Sequence, residues 1–367
     1  MFRKAVVLLI FSPLLFSCSK SIYTGLTSPE PVIYPAPPDT TRLQFLSRIS
    51  SSADLSRGKK SMASFITGEQ ETSTIISKPY GIAIYKGKIM VCDTYIHGLD
   101  IIDLATGKFE QFIPKGRGEL RVPINCFIDD KGFLYVADSE RKQIVVFDQD
   151  RKYYDCFGET DDFKPADVFV HGNKVWVADV GGHQVHVYSA DSSRTLLASF
   201  PEVNSKDPES LFSPTNLFVT DNEVYVSDFG DFRVKVYTPK GEFIRAIGSY
   251  GTSPGQFTRP KGIAVDRDSN LFVVDAGFEN VQLFNSEGKI LMHFGGNYKG
   301  LGDMWLPAKI VIDYDNNTYF ERLVDPAFKL KYLVLVTNQF GPDKVSIYGA
   351  VQPSGRDVKP GGPTPVK

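Results

Sequence analysis

Charge of one sign is what this sequence most clearly lacks. The 367-residue chain carries 41 basic and 43 acidic side chains, a formal net charge of −2. That balance offers no electrostatic footprint for a phosphate backbone, so no nucleic-acid partner is expected. Long apolar runs are missing too; the stretch at residues 5–16 is too short to span a bilayer unaided. Histidine is sparse, five in all. His183 and His186 stand three apart on a stretch that reads as a strand, hence on opposite faces, which does not make a metal pair. Gly251-Thr252-Ser253-Pro254-Gly255 spells GxSxG, but a nucleophile elbow uses the N–H of the residue after the serine, and Pro254 has none. Asp313, Asp315 and Asn317 begin like a calcium loop, yet Thr318 stands where glycine belongs and Val324 where the bidentate glutamate belongs. No catalytic residue, metal or cofactor is therefore expected.

What the chain does have is a recurring unit. Pro79, Pro123, Pro165, Pro214, Pro260 and Pro307 each open one, at intervals of 42–49 residues. A period in the forties points to a solenoid or a propeller. Each unit holds short runs of Val, Ile, Leu, Phe and Tyr separated by turn pairs such as Lys86-Gly87, Lys131-Gly132, Gly172-Asn173 and Asp221-Asn222. This is hairpin grammar, not a helical period. A fourth run follows in most units (KFEQFIP, KYYDCFG, RTLLASF, EFIRAIG, KILMHFGG). The reading is all-β: a six-bladed β-propeller of four-stranded antiparallel blades. Proline suits the first residue of an innermost strand, where no ladder donor is needed. Asp93, Asp138, Asp179, Asp228 and Asp275 close the second strands, and Asn338 takes that place in the sixth unit. One per blade, they read as caps that accept hydrogen bonds from turn N–H groups.

The strings VADSERKQIVVF, VADVGGHQVHVY and VSDFGDFRVKVY, with the connector GSYGTSPGQFTRPKGIAVD, resemble the NHL repeat. The resemblance covers residues 79–349 and implies the six-bladed fold. His97 and His183 fall at that family's own histidine position. The fold hosts binders, sensors and a few lyases, so the likeness implies little about activity.

Before the repeats lies an address. Arg3 and Lys4 precede the apolar stretch, and Leu15-Phe16-Ser17-Cys18 resembles a bacterial lipobox. This implies a lipoprotein signal peptide at 1–17, lipidation at Cys18 and anchoring of the chain to a membrane of the bacterial cell envelope. Ser19 after the cysteine points by analogy to the outer membrane. Residues 18–40 are crowded with proline and read as a semi-extended tether. Residues 41–50 (TRLQFLSRIS) resemble the outermost strands, and the sixth unit has no such strand of its own after KVSIYG. They are expected to close the ring, giving a propeller at 41–350. A short helix is expected within 53–67. In blade six the distance from proline to cap is 31 residues instead of 14 or 15, which places an insertion at about 313–331. It packs either on the domain's own face or on a partner, or folds as an extended hairpin. Residues 351–367 are expected to be a disordered tail.

Cys92, Cys126 and Cys156 are expected as free, buried thiols. Cys126 and Cys156 fall on the inner and outer strands of one blade, roughly three spacings of ~4.8 Å apart and beyond disulfide reach.

The candidate site comes from geometry. Two residues after each starting proline stand Gly81, Asn125, Asp167, Asn216, Gly262 and Lys309, small or polar in every blade. They are expected to ring the channel mouth, with Tyr95, Arg141, Phe229 and Phe278 flanking them after the caps. A polar and aromatic crown suits a protein, peptide or glycan ligand. The expectation is a lipid-anchored binding or assembly module of the envelope. The rival is a metal-assisted lyase or lactone hydrolase at the same mouth.

Overall fold

The computed structural model describes residues 31–55, 73–158, 161–202 and 205–355. Valine, isoleucine and aromatic residues dominate its strands, as a pleated sheet buried on both faces requires. From the axis outward, blade one is Pro79–Tyr85, Lys88–Asp93, Gly98–Asp103 and Lys108–Phe112. Blades two to five repeat this antiparallel order from innermost strands Pro123–Ile128, Pro165–His171, Pro214–Val219 and Pro260–Val265. Each innermost strand touches those of its two neighbours, and that of blade six touches blade one, so the ring is closed. The chain is a six-bladed β-propeller.

Closure uses the N-terminal segment, as the repeat count requires. Blade six runs Pro307–Asp313, Phe328–Asn338, Val345–Pro353 and then Leu43–Ile49, with Leu43 opposite Ala350 and Ile49 opposite Val345. A bulge between Phe45 and Ser47 switches the side chains between faces. Leu43 and Phe45 therefore enter the seam between blades five and six, and Leu46 and Ile49 the seam between six and one. All four are buried, each worth about 1.5–3 kcal/mol of transfer free energy. A fifth strand, Ile33–Tyr34, pairs outside them. It belongs to the stretch read as tether, and Tyr34 packs on Phe294 and Tyr348. The third strand of blade six also continues to Pro353, past the boundary expected at 350.

The core is six apolar seams, one between each pair of neighbouring blades. The insertion completes one of them. Phe320 is buried in the seam between blades six and one, while Asn316 Oδ1 accepts from Gly87 N at 2.8 Å. Gln44 of the closing strand receives Asp325 N at 2.9 Å and donates to Leu323 O at 3.0 Å. Residues 313–331 thus fold onto their own domain, through two short 3₁₀ turns rather than a plain hairpin. The helix expected at 53–67 lies mostly outside the described residues; the described start is a 3₁₀ turn, Ser52–Leu55.

Two ends of the ring differ. Each innermost strand starts at one end, and the second strand returns there to its cap. That end carries the cap turns and the connectors between blades, and is termed the connector face. The other end carries the tight turns within blades and is termed the hairpin face.

Candidate functional site

At the connector face the five capping carboxylates behave alike. Asp138 accepts from the N–H groups of Arg121, Val122 and Arg141 at 2.6–3.0 Å, and Asp275 from those of Thr258, Arg259 and Gly277 at 2.8–3.0 Å. Asp93, Asp179 and Asp228 do the same with their own connectors. Asn338 differs from expectation. Its Nδ2 donates to Asp343 O and Ser346 Oγ at 2.7 and 3.0 Å, because an amide offers N–H groups where a carboxylate has only lone pairs.

Four residues after each of these aspartates the backbone turns left-handed: His97, Lys142, His183, Phe232 and Glu279 have φ between 54° and 57°. Each of the five side chains reaches the following connector. His183 Nδ1 meets Phe212 O at 2.7 Å, and Glu279 Oε1 accepts from Leu306 N at 3.1 Å. His97 contacts Arg121 O, Lys142 contacts Asp161 O, and Phe232 lies edge-on to Tyr250 with ring centroids 4.8 Å apart. His97 and His183 are inter-blade latches, and three other chemistries serve the same purpose.

The expected ring of small and polar residues is gathered, but it is shut. A Cβ on Gly81 would lie 2.5 Å from Asn125 Cα, and one on Gly262 would lie 2.7 Å from Lys309 Cα. Both glycines are therefore required for close approach. Lys309 of blade six reaches across the axis to Asp167 of blade three, the opposite blade, and pairs with it. Asp167 also accepts from Val168 N and Leu217 N, each at 3.0 Å, and from Asn216 Nδ2 at 3.3 Å. Asn125 Nδ2 donates to Ala166 O at 2.7 Å. Asn125, Asp167, Asn216 and Lys309 are all buried. They plug the channel instead of lining an open mouth, because opposite charges on opposing blades pair across the axis. Above them Lys261 Nζ donates to Tyr80 Oη at 3.0 Å, further closing this end.

Of the flanking residues, Tyr95 stands free at 73% exposure. Arg141 is tied to Glu119 O and Gln143, and Phe229 and Phe278 are half-buried. Other apolar side chains complete the crown: Phe212, Tyr250, Trp305 and Phe340, with Ile75 and Ile113, all at least 41% exposed and all in connectors or cap turns of this one face. Sequence reasoning missed them because they lie outside the regular strands. Their position just before a starting proline, just after a fourth strand or, for Phe340, just after the cap was the available signal.

The hairpin face is open. Below the plug the channel widens into a chamber of about 360 Å³ touched by all six innermost strands and floored by Lys309. It continues into a shallower groove at blades three to six, bordered by His171, Asp221, Glu223, Arg267 and Tyr314. His171 Nε2 lies 2.8 Å from Asp221 Oδ1, and the Arg267 guanidinium lies over Tyr314 at 3.9 Å. Among the described residues no group of three or more His, Cys, Asp or Glu is arranged to hold a metal. Cys92, Cys126 and Cys156 are free, with Cys156 half-buried rather than buried, its Sγ accepting from Tyr153 Oη at 3.3 Å.

Residues 199–293 match a family model, DUF5128, described as a 6-bladed beta-propeller. A search of curated proteins finds no match. Among solved structures, a gluconolactonase from Xanthomonas campestris is 14% identical, covering 90% of this chain and 97% of its own at a TM-score of 0.56. A Bacteroides thetaiotaomicron protein of unknown function is 15% identical, covering 85% and 76% at 0.57. A streptogramin B lyase is 13% identical, covering 74% and 83% at 0.51. At such identities the likeness is one of fold alone.

Proposed function

We propose that the chain is a lipid-anchored docking module of the bacterial envelope, and that its connector face binds a protein partner. The crown of exposed aromatic and aliphatic side chains on that single face is the observation that carries this reading. Apolar patches of this kind, rimmed by polar groups, mark interaction surfaces, and aromatic residues dominate their energetics. With the channel plugged just beneath, the partner lies across the face and does not thread it. The basic start, apolar stretch and Cys18 support the anchor, and Ser19 the outer membrane; they lie outside the described residues.

The test is cross-linking of the full chain in cells, followed by capture from solubilised membranes. Tyr95→Ser, Tyr250→Ser and Trp305→Ser together are expected to abolish a cross-link that the native chain forms. The same partner captured undiminished by the triple variant would overturn the reading. Cys18→Ala is expected to release the chain from the membrane fraction. The rival, a metal-assisted lyase or lactone hydrolase, has fold likeness as its support; stoichiometric metal in purified protein would favour it.

A further inference from the structure

The innermost strands carry a second aligned position, four residues after each starting proline: Ala83, Phe127, Phe169, Phe218, Ala264 and Val311. All six line the chamber at the hairpin face. Three consecutive blades supply phenylalanine and the other three supply alanine or valine. The rings form a continuous row, with centroids 4.5 Å apart between Phe127 and Phe169 and 5.0 Å between Phe169 and Phe218. All three are only partly buried. The opposite wall is cut back to small side chains, and the space between is the chamber. Each ring packs against a seam between blades with one side and turns the rest of its surface to the chamber, which gives the chamber one aromatic wall.

We infer that this chamber is a binding site for a planar aromatic group of about two fused rings, with its polar substituents directed into the adjoining groove. Size supports the ring count: the chamber of about 360 Å³ is more than twice the ~150 Å³ that accommodates one benzene. Shape supports planarity, since a flat guest contacts the phenylalanine row by its face or edge while Ala83, Ala264 and Val311 leave its other side room. The groove supplies polar partners of both kinds, the His171–Asp221 pair and the Arg267 guanidinium, while Glu223 is held by Arg245 and Tyr225. The site lies at the opposite end of the channel from the docking face and stands independently of it.

The probe is 2-naphthol, with decahydro-2-naphthol as its saturated counterpart, titrated into the full chain by isothermal calorimetry. One site is expected, binding 2-naphthol about tenfold tighter than the saturated alcohol, the margin that ring–ring geometry adds beyond burial. Phe169→Leu with Phe218→Leu keeps the wall apolar and is expected to erase the preference. Val311→Trp fills the chamber and is expected to abolish binding of both, while Leu291→Ser on an outermost strand changes neither. Phe169→Leu alone, expected to reduce the preference, serves if the double variant fails to fold. Equal affinity for the two alcohols, no binding of either, or binding that survives Val311→Trp would overturn the inference, whatever the cross-linking of the connector face shows.

Discussion

Asp100 should make the stability of this propeller fall as pH rises. On the third strand of every blade one position pairs with the residue two before the cap; its occupants are Asp100, Val145, His186, Lys235, Gln282 and Ser346. In blades three and four it holds a partner for the cap: His186 lies 3.1 Å from Asp179, and Lys235 lies 3.3 Å from Asp228. Blade one instead holds a second carboxylate, fully buried, beside Asp93. Burial pushes the Asp100 pKa up from its ordinary 3.8 to about 8; the Gln111 amide, donating to Oδ1 at 3.1 Å, opposes the shift and the charge of Asp93 reinforces it. The folded protein thus keeps a proton that the unfolded chain releases near pH 4. The cost of folding grows from about pH 4 to about pH 8, reaching roughly 4 kcal/mol at pH 7 from the 1.36 kcal/mol that each pKa unit represents. Asp100→Asn keeps the acceptor for Gln111 and provides an N–H toward Asp93. Urea unfolding of the full chain from pH 4.5 to 8 should show the variant gaining on the native protein, from a small difference at the acid end to about 4 kcal/mol at pH 7. A difference that does not change with pH, or a variant less stable than the native chain at pH 7.5, would refute this account of the buried pair.

Other outcomes follow from the same geometry. Lys309→Met leaves Asp167 with its backbone and amide donors but no counter-charge, and should lower stability by about 3–5 kcal/mol, with Asp167→Asn added to it recovering part of the loss; urea midpoints measure both. Phe45→Ala removes a buried ring that meets Tyr348 edge-on at 5.5 Å and should cost about 3–5 kcal/mol in the same assay, whereas exposed Tyr95→Ala should stay within ~0.5 kcal/mol.

Much of the architecture was legible because it is written once per blade. Proline at the start and aspartate at the cap set the period, and the missing fourth strand of blade six pointed to residues 41–50. The latches were not legible, since histidine, lysine, phenylalanine and glutamate at one position look unrelated until a shared left-handed φ aligns them. The structure brings the residues of the ring position together at the axis, but their pairing there could not be read from the sequence. Asp167 and Lys309 lie 142 residues apart, and nothing local says that opposite blades will place opposite charges at the axis. The strand at Ile33–Tyr34 was hidden among prolines that read as tether; Tyr34 packs on Phe294 and Tyr348 of blades five and six, which come together only once the ring has closed.

Thiol accessibility tests most directly whether the channel is shut at the connector face and open at the hairpin face. In a background with Cys156→Ser and with Cys126→Ala, since Cys126 itself lines the chamber, Phe218→Cys places a thiol in the chamber and Asn125→Cys places one in the plug. Rapid maleimide labelling of the first and none of the second in the folded chain is the expected result. Fast labelling at Asn125→Cys with protection at Phe218→Cys would reverse the two ends and contradict the account.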